Sequence, residues 1–116
     1  MTEDPAAKIA SRLEEIWRRS RPTVLERMAL LHSACETLAI DPNNAEARSN
    51  GREAAHKLSG VLGVFGLPQG TQLASSIEFL LKSDQPLTAE DLATLRAEIA
   101  ELDAEIASRS LQESPD

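Results

Sequence analysis

Residues 44–66, NAEARSNGREAAHKLSGVLGVFG, read as a single helix with one apolar stripe and one open polar face. At about 100° per residue, Ala47, Ala54, Leu58, Val61, Leu62 and Phe65 cluster on one side. His56 falls roughly opposite, on the face that carries Ser49, Arg52, Glu53, Ser59, Gly60 and Gly63. An imidazole is therefore expected to point at water, with two residues lacking side chains one and two turns further on. Glycine inside a helix costs on the order of 1 kcal/mol relative to alanine. Two such costs on the histidine's own face suggest clearance for something that approaches it closely. Tight helix–helix packing is the other use of glycine, but both positions lie away from the apolar stripe.

Working outward, the flanking segments repeat the helical period. Toward the N-terminus, Val24, Met28, Leu31, Cys35 and Leu38 recur at spacings of four and three, a helix from about Thr23 that ends before the Asp41–Pro42–Asn43–Asn44 turn signal. Before it, Ile9, Leu13, Ile16 and Trp17 form a stripe on a shorter helix from about Pro5 to Arg19, capped by Asp4 and broken at Ser20–Pro22. Trp17 reads as a core or cap anchor. Toward the C-terminus, Gly66 and Pro68 close the histidine helix. A helix from about Gln69 to Lys82 then buries Leu73, Ala74, Ile77, Leu80 and Leu81. A last helix opens with the capping-box pattern Thr88 to Asp91 and carries Leu92, Leu95, Ile99, Leu102 and Ile106. There is no strand pattern and no internal repeat. The expected fold is all-α: an antiparallel four-helix bundle over 23–107, with an additional short N-terminal helix and turn (1–22) capping one end and a flexible tail at 108–116.

Composition supports this and removes several function classes. Apolar residues are 41% of 116 but aromatic residues only 3%, so the core is aliphatic. The formal net charge of −7 argues against nucleic-acid or anionic-membrane ligands, which require a basic footprint. One cysteine and two histidines allow neither an internal disulfide nor a zinc-type cluster, so no metal and no cofactor is expected. The opening MTEDPAAK is not a signal peptide, and VLGVFGLP is far too short to span a bilayer. A monomeric cytoplasmic protein is the expectation. Cys35, on the inward seam, reads as an apolar filler, and His32, between seam residues, as a partly buried structural histidine.

A neutral imidazole is a good nucleophile near physiological pH when one ring nitrogen is open and the other is held. The stretch AHKLSGVLGVFGL, Ala55 to Leu67, resembles the signature of histidine phosphotransfer (HPt) domains of two-component phosphorelays. Ala55, His56, Leu58, Gly60 and Gly66 match its pattern. LASSIEFL, Leu73 to Leu80, is similar to the family's next helix, with Ala74 and Glu78 at its recurring alanine and Gln/Glu. The likeness covers roughly residues 23–107.

The resemblance implies that His56 accepts a phosphoryl group from an aspartyl phosphate on a receiver domain and passes it to another receiver. It implies no kinase activity, because the receiver supplies the Mg²⁺ and the catalytic groups. The implied partners are a response-regulator receiver domain and/or a hybrid histidine kinase. Glu78 is the implied orienting partner of the ring. In one respect the chain departs from the pattern. Many members carry a lysine three residues after the histidine, where this chain has Ser59 and places Lys57 directly after His56. Arg52 or Lys57 is then expected to supply the positive charge, with Ser59 offering a hydroxyl, while Gly60 and Gly63 give clearance for a docking receiver. Two other readings compete: a non-catalytic module that binds a receiver or other signalling protein through the same face, and a dimeriser built on the seam of the last helix. The second requires Leu95, Ile99 and Leu102 to be exposed.

Overall fold

A computed structural model describes residues 4–111, which form four α-helices and one 3-10 turn. α1 spans Pro5–Ile40, α2 Ala45–Leu62, α3 Pro68–Lys82 and α4 Ala89–Leu111; the 3-10 turn, Gly63–Phe65, finishes α2. Each boundary has a local cause. The Asp4 side chain accepts from the Ala6 N–H at 3.2 Å, and Asn44 accepts from the Ala47 N–H at 2.9 Å. Gly66, at φ 76°, adopts the left-handed conformation that a side chain would disfavour. Its N–H bonds to Gly63 O and the Leu67 N–H to Leu62 O, the two closures of a Schellman motif. Thr88 and Asp91 cap α4 reciprocally, each backbone N–H donating to the other's side chain at 3.0 Å.

Short connections make sequential helices neighbours. α2 packs on α1 and α3, α3 on α4, and α4 closes the ring against α1. The inward residues are aliphatic: Leu31, Leu38, Leu58, Leu62, Ile77, Leu95 and Leu102 are essentially inaccessible. Leu95, Ile99, Leu102 and Ile106 of α4 are at most 2% exposed, which overturns the dimeriser reading, since that seam is spent within the chain. No described helix is long and apolar enough to cross a membrane.

Residues 5–22 are not a separate short helix. They are the first part of α1, which passes through Ser20–Pro22 unbroken and contains Pro22 in its interior. A proline there removes one i→i−4 bond and costs about 3 kcal/mol. Two conditions make this tolerable. Pro22 sits on the exposed side, where water can serve the freed carbonyl, and the buried residues Trp17 and Val24 hold the helix on either side of it. At 1.5 Å per residue the 36 residues of α1 extend about 54 Å, which accounts for most of the 61 Å long dimension of the molecule.

The bundle's end is tied at Trp17. Its ring is fully buried, meets Phe65 edge-on at 5.2 Å, and has the Arg109 guanidinium 5.3 Å from its centroid. Arg109 also pairs with Glu14 at 2.6 Å and donates from Nε to Phe65 O at 3.2 Å. Ser108, where a flexible tail was expected to start, lies inside α4, which continues to Leu111, and Arg109 is one of that helix's anchors. Residues 112–116 of that tail lie outside the described residues.

Gly51 was not singled out by the sequence reading, yet it lies where three helices meet. A Cβ there would come within 2.9 Å of Leu81 Cδ1 and 3.1 Å of Ala34 Cβ. The absent side chain lets α2 approach α1 and α3 one turn before the histidine.

Candidate functional site

His56 lies on the outer face of α2 with 71% of its side chain exposed. Its Nδ1 is 2.9 Å from Oε2 of Glu78, which projects from α3 and is 29% exposed. A carboxylate oxygen accepts and does not donate, so Nδ1 carries the hydrogen. That fixes the neutral ring as the tautomer whose Nε2 holds a lone pair, and Nε2 makes no hydrogen bond among the described residues. Two wholly buried alanines flank this pair in sequence: Ala55, adjacent to the histidine, and Ala74, one turn before Glu78. Small side chains at buried positions of two packed helices are compatible with a close approach of α2 and α3.

The other expected site residues divide. Arg52, one turn before His56, lines the same open depression as His56, Glu78, Ser49 and Glu53. Among the described residues no carboxylate pairs with it. Lys57 is turned the other way, with Nζ 2.9 Å from Glu53 Oε1, and this contact holds the Glu53 carboxyl below its ordinary range. The Ser59 hydroxyl donates to the backbone carbonyl of His56 at 2.9 Å and so is engaged within its own helix.

The two glycines differ. Around Gly60 an added Cβ meets nothing within 4 Å, so the surface one turn past the histidine is open. Around Gly63 a Cβ would come within 3.2 Å of Thr71 Oγ1, so the missing side chain there accommodates α3. For Gly63, packing has to be set beside the expected clearance.

His32, read as a partly buried structural histidine, keeps about half of its side chain exposed, and its Nε2 lies 2.7 Å from Asp103 Oδ2, a surface link between α1 and α4. It falls between two seam residues, at the edge of the stripe rather than under it. Cys35 is buried and unpaired, and burial pushes its thiol above the ordinary range. Two residues near the site were missed from sequence. Arg48 and Lys82 line a depression that shares Arg52 and Ser49 with the one around His56. The cue was available: Arg48 lies one turn before Arg52 on the same flank, and Lys82 ends α3.

The Hpt domain family matches the chain over residues 15–105. Protein RcaC of Microchaete diplosiphon is 27% identical over 94 residues, which cover 81% of this chain but 14% of that protein. The chain therefore corresponds to a small part of that relative's length. No solved structure matches the chain.

Proposed function

Because the chain belongs to the Hpt domain family, whose members are intermediates of histidine phosphotransfer rather than kinases and interact with receiver domains and kinases, we propose that Nε2 of His56 relays a phosphoryl group between receiver aspartates. The observation that carries this is the ring held at Nδ1 by Glu78 while Nε2 faces solvent. In the proposed step the Nε2 lone pair attacks the phosphorus of an aspartyl phosphate. The N–P bond forms as the acyl P–O bond breaks, and the donor leaves as a free carboxylate. Nδ1 keeps its hydrogen, so no proton moves, and the positive charge gained by the ring lies beside Glu78. Transfer to the next receiver is the same step in reverse. An open nucleophile and an orienting carboxylate are this chain's share of the chemistry, because an acyl phosphate is already an activated donor and the receiver brings the remaining catalytic groups.

The test is incubation with a phosphorylated receiver domain. The expected label is acid-labile and resides on Nε2 of His56, as read by phosphorus–nitrogen NMR coupling. Label on Nδ1, or no label at all, contradicts the reading. The rival reading, a binding module that is never phosphorylated, is favoured by one feature: position 59 lacks the family's lysine and Lys57 is occupied by Glu53. The same experiment decides between them.

Two supporting roles follow. Replacing Glu78 by alanine is expected to slow transfer about tenfold, the lower range for a charge-assisted hydrogen bond, because this one is partly exposed to water. Imidazole ¹⁵N shifts should show the Nδ1–H tautomer dominant in the wild type and mixed in Glu78→Ala. Unchanged shifts would remove Glu78 from the mechanism. For the phosphoryl charge, Arg52 is the better-placed cation, since Lys57 already has a partner. Phosphohistidine is expected to decay several times faster in Arg52→Ala and at nearly the wild-type rate in Lys57→Ala. The reverse order would assign the role to Lys57.

A further inference from the structure

The chain carries a net charge of −7, yet the depression next to the one around His56 has more cations than carboxylates in its lining. The depression between the start of α2 and the end of α3 is lined by Arg48, Arg52 and Lys82, with Ser49 and Ser83, against one carboxylate, Asp84. None of the three cations is in an ion pair with a carboxylate among the described residues. Arg48 spends its guanidinium on the backbone carbonyls of Ser83 and Gln85, which fixes its position but leaves its charge uncompensated. This depression shares Ser49 and Arg52 with the histidine's own, where Glu53 is paired with Lys57 and Glu78 with the ring.

The other described flanks differ. On the α1 side, Glu26 and Glu53 balance Arg27 and Lys57 around the apolar Ala29 and Leu30. On the α3–α4 side, Glu98 and Glu101 make the surface acidic. His56 thus sits between a neutral, partly apolar flank and a basic one.

We propose that Arg48, Arg52 and Lys82 form a basic edge that receives an acidic surface of the phosphodonor receiver and so sets the side from which it reaches Nε2 of His56. The proposal rests on the phosphorelay reading above and adds to it the partner's local charge and the direction of docking. An acidic partner is repelled by the chain as a whole. At physiological ionic strength that repulsion is screened beyond about 8 Å, so the charges that meet first decide the encounter. A basic edge placed at the nucleophile turns the last few ångströms attractive and fixes orientation, since rotating the partner would set its acidic patch against Glu98 and Glu101.

The experiment uses the full chain and a phosphorylated receiver domain that labels the wild type. Label from phosphoramidate, a small donor that needs no docking, is measured in parallel. Lys82 is exposed at the end of α3, so Lys82→Glu should fold normally, and circular dichroism checks this. Lys8→Glu, on the distant start of α1, makes the same change in net charge. The expected result is a KM for the receiver raised about tenfold in Lys82→Glu and about threefold in Lys82→Gln, with Lys8→Glu near the wild type. The ratio of receiver-driven to phosphoramidate-driven labelling should fall in the same order. Salt should slow receiver-driven transfer in the wild type and do so less steeply in Lys82→Glu. The proposal is overturned if Lys82→Glu matches Lys8→Glu or if the wild-type rate is insensitive to salt. Failure of the relay reading is distinguishable, because the wild type would then take no label from any receiver, and the docking proposal would fall with it.

Discussion

Replacing His56 by glutamine should abolish acid-labile labelling from a receiver, a loss of at least about a thousandfold. Glutamine is close to histidine in size, is compatible with a helix, and can still donate to Glu78, so the bundle should remain intact. What disappears is the lone pair, because an amide nitrogen is delocalised and does not attack phosphorus. No neighbour can substitute. The Ser59 hydroxyl is turned into the helix backbone, and Arg52 and Lys57 are cations. Residual label on the glutamine variant above the background of a heat-denatured control would mean that another residue accepts the group. A companion variant separates approach from acceptance. Gly60→Leu adds a side chain where nothing lies within 4 Å, so helicity and stability should hold or rise while receiver-driven labelling falls steeply. Undiminished labelling would show that the donor does not pass over that turn.

Trp17→Ala is expected to cost about 3–5 kcal/mol of stability, the range for removing a large buried aromatic residue. The loss is concentrated because the indole joins three segments: the first part of α1, the 3-10 turn through Phe65, and the end of α4 through Arg109. Without it, Arg109 keeps Glu14 but loses the ring beneath it. A change of that size is a large share of the 5–15 kcal/mol that holds a typical domain and should lower the melting temperature by roughly 15 °C. Trp17→Phe retains much of the apolar contact and should lose about half as much. A shift of only a few degrees in Trp17→Ala would show that the first part of α1 contributes little to the bundle.

The helical period of residues 44–66 was enough to place His56 outside and the aliphatic stripe inside, because both depend only on the angular step of an α-helix. The caps at Asp4, Gly66 and Thr88 were legible for the same local reason, whereas Asn44 was read as part of a turn and caps α2. Pro22 was misleading. Local chemistry says that proline ends a helix, and only the packing of Trp17 and Val24 on either side of it overrides that preference. Gly51 was legible but missed: it falls on the apolar side of the same helical projection, where a glycine signals another helix drawn close. The pairing of His56 with Glu78 lay beyond periodicity, since nothing local links residues 22 positions apart. It entered through likeness to a family, and the geometry then supplied the contact. His32 adjoins a buried seam yet keeps about half of its side chain in solvent, a gradation at the edge of the stripe that periodicity does not resolve at one residue's precision.

Ala55 and Ala74 give the relay site a hidden dependence. The span between the imidazole and its carboxylate depends on how nearly two helix axes approach, and beside each of the two side chains the helix carries a small residue whose methyl group has no exposure to solvent. A slightly bulkier residue at either position would act as a wedge, releasing the ring to spin while every polar group stayed chemically intact. The nucleophile's aim is in this sense a property of the bundle's interior, and variation there can detune signalling without touching the surface that a partner recognises.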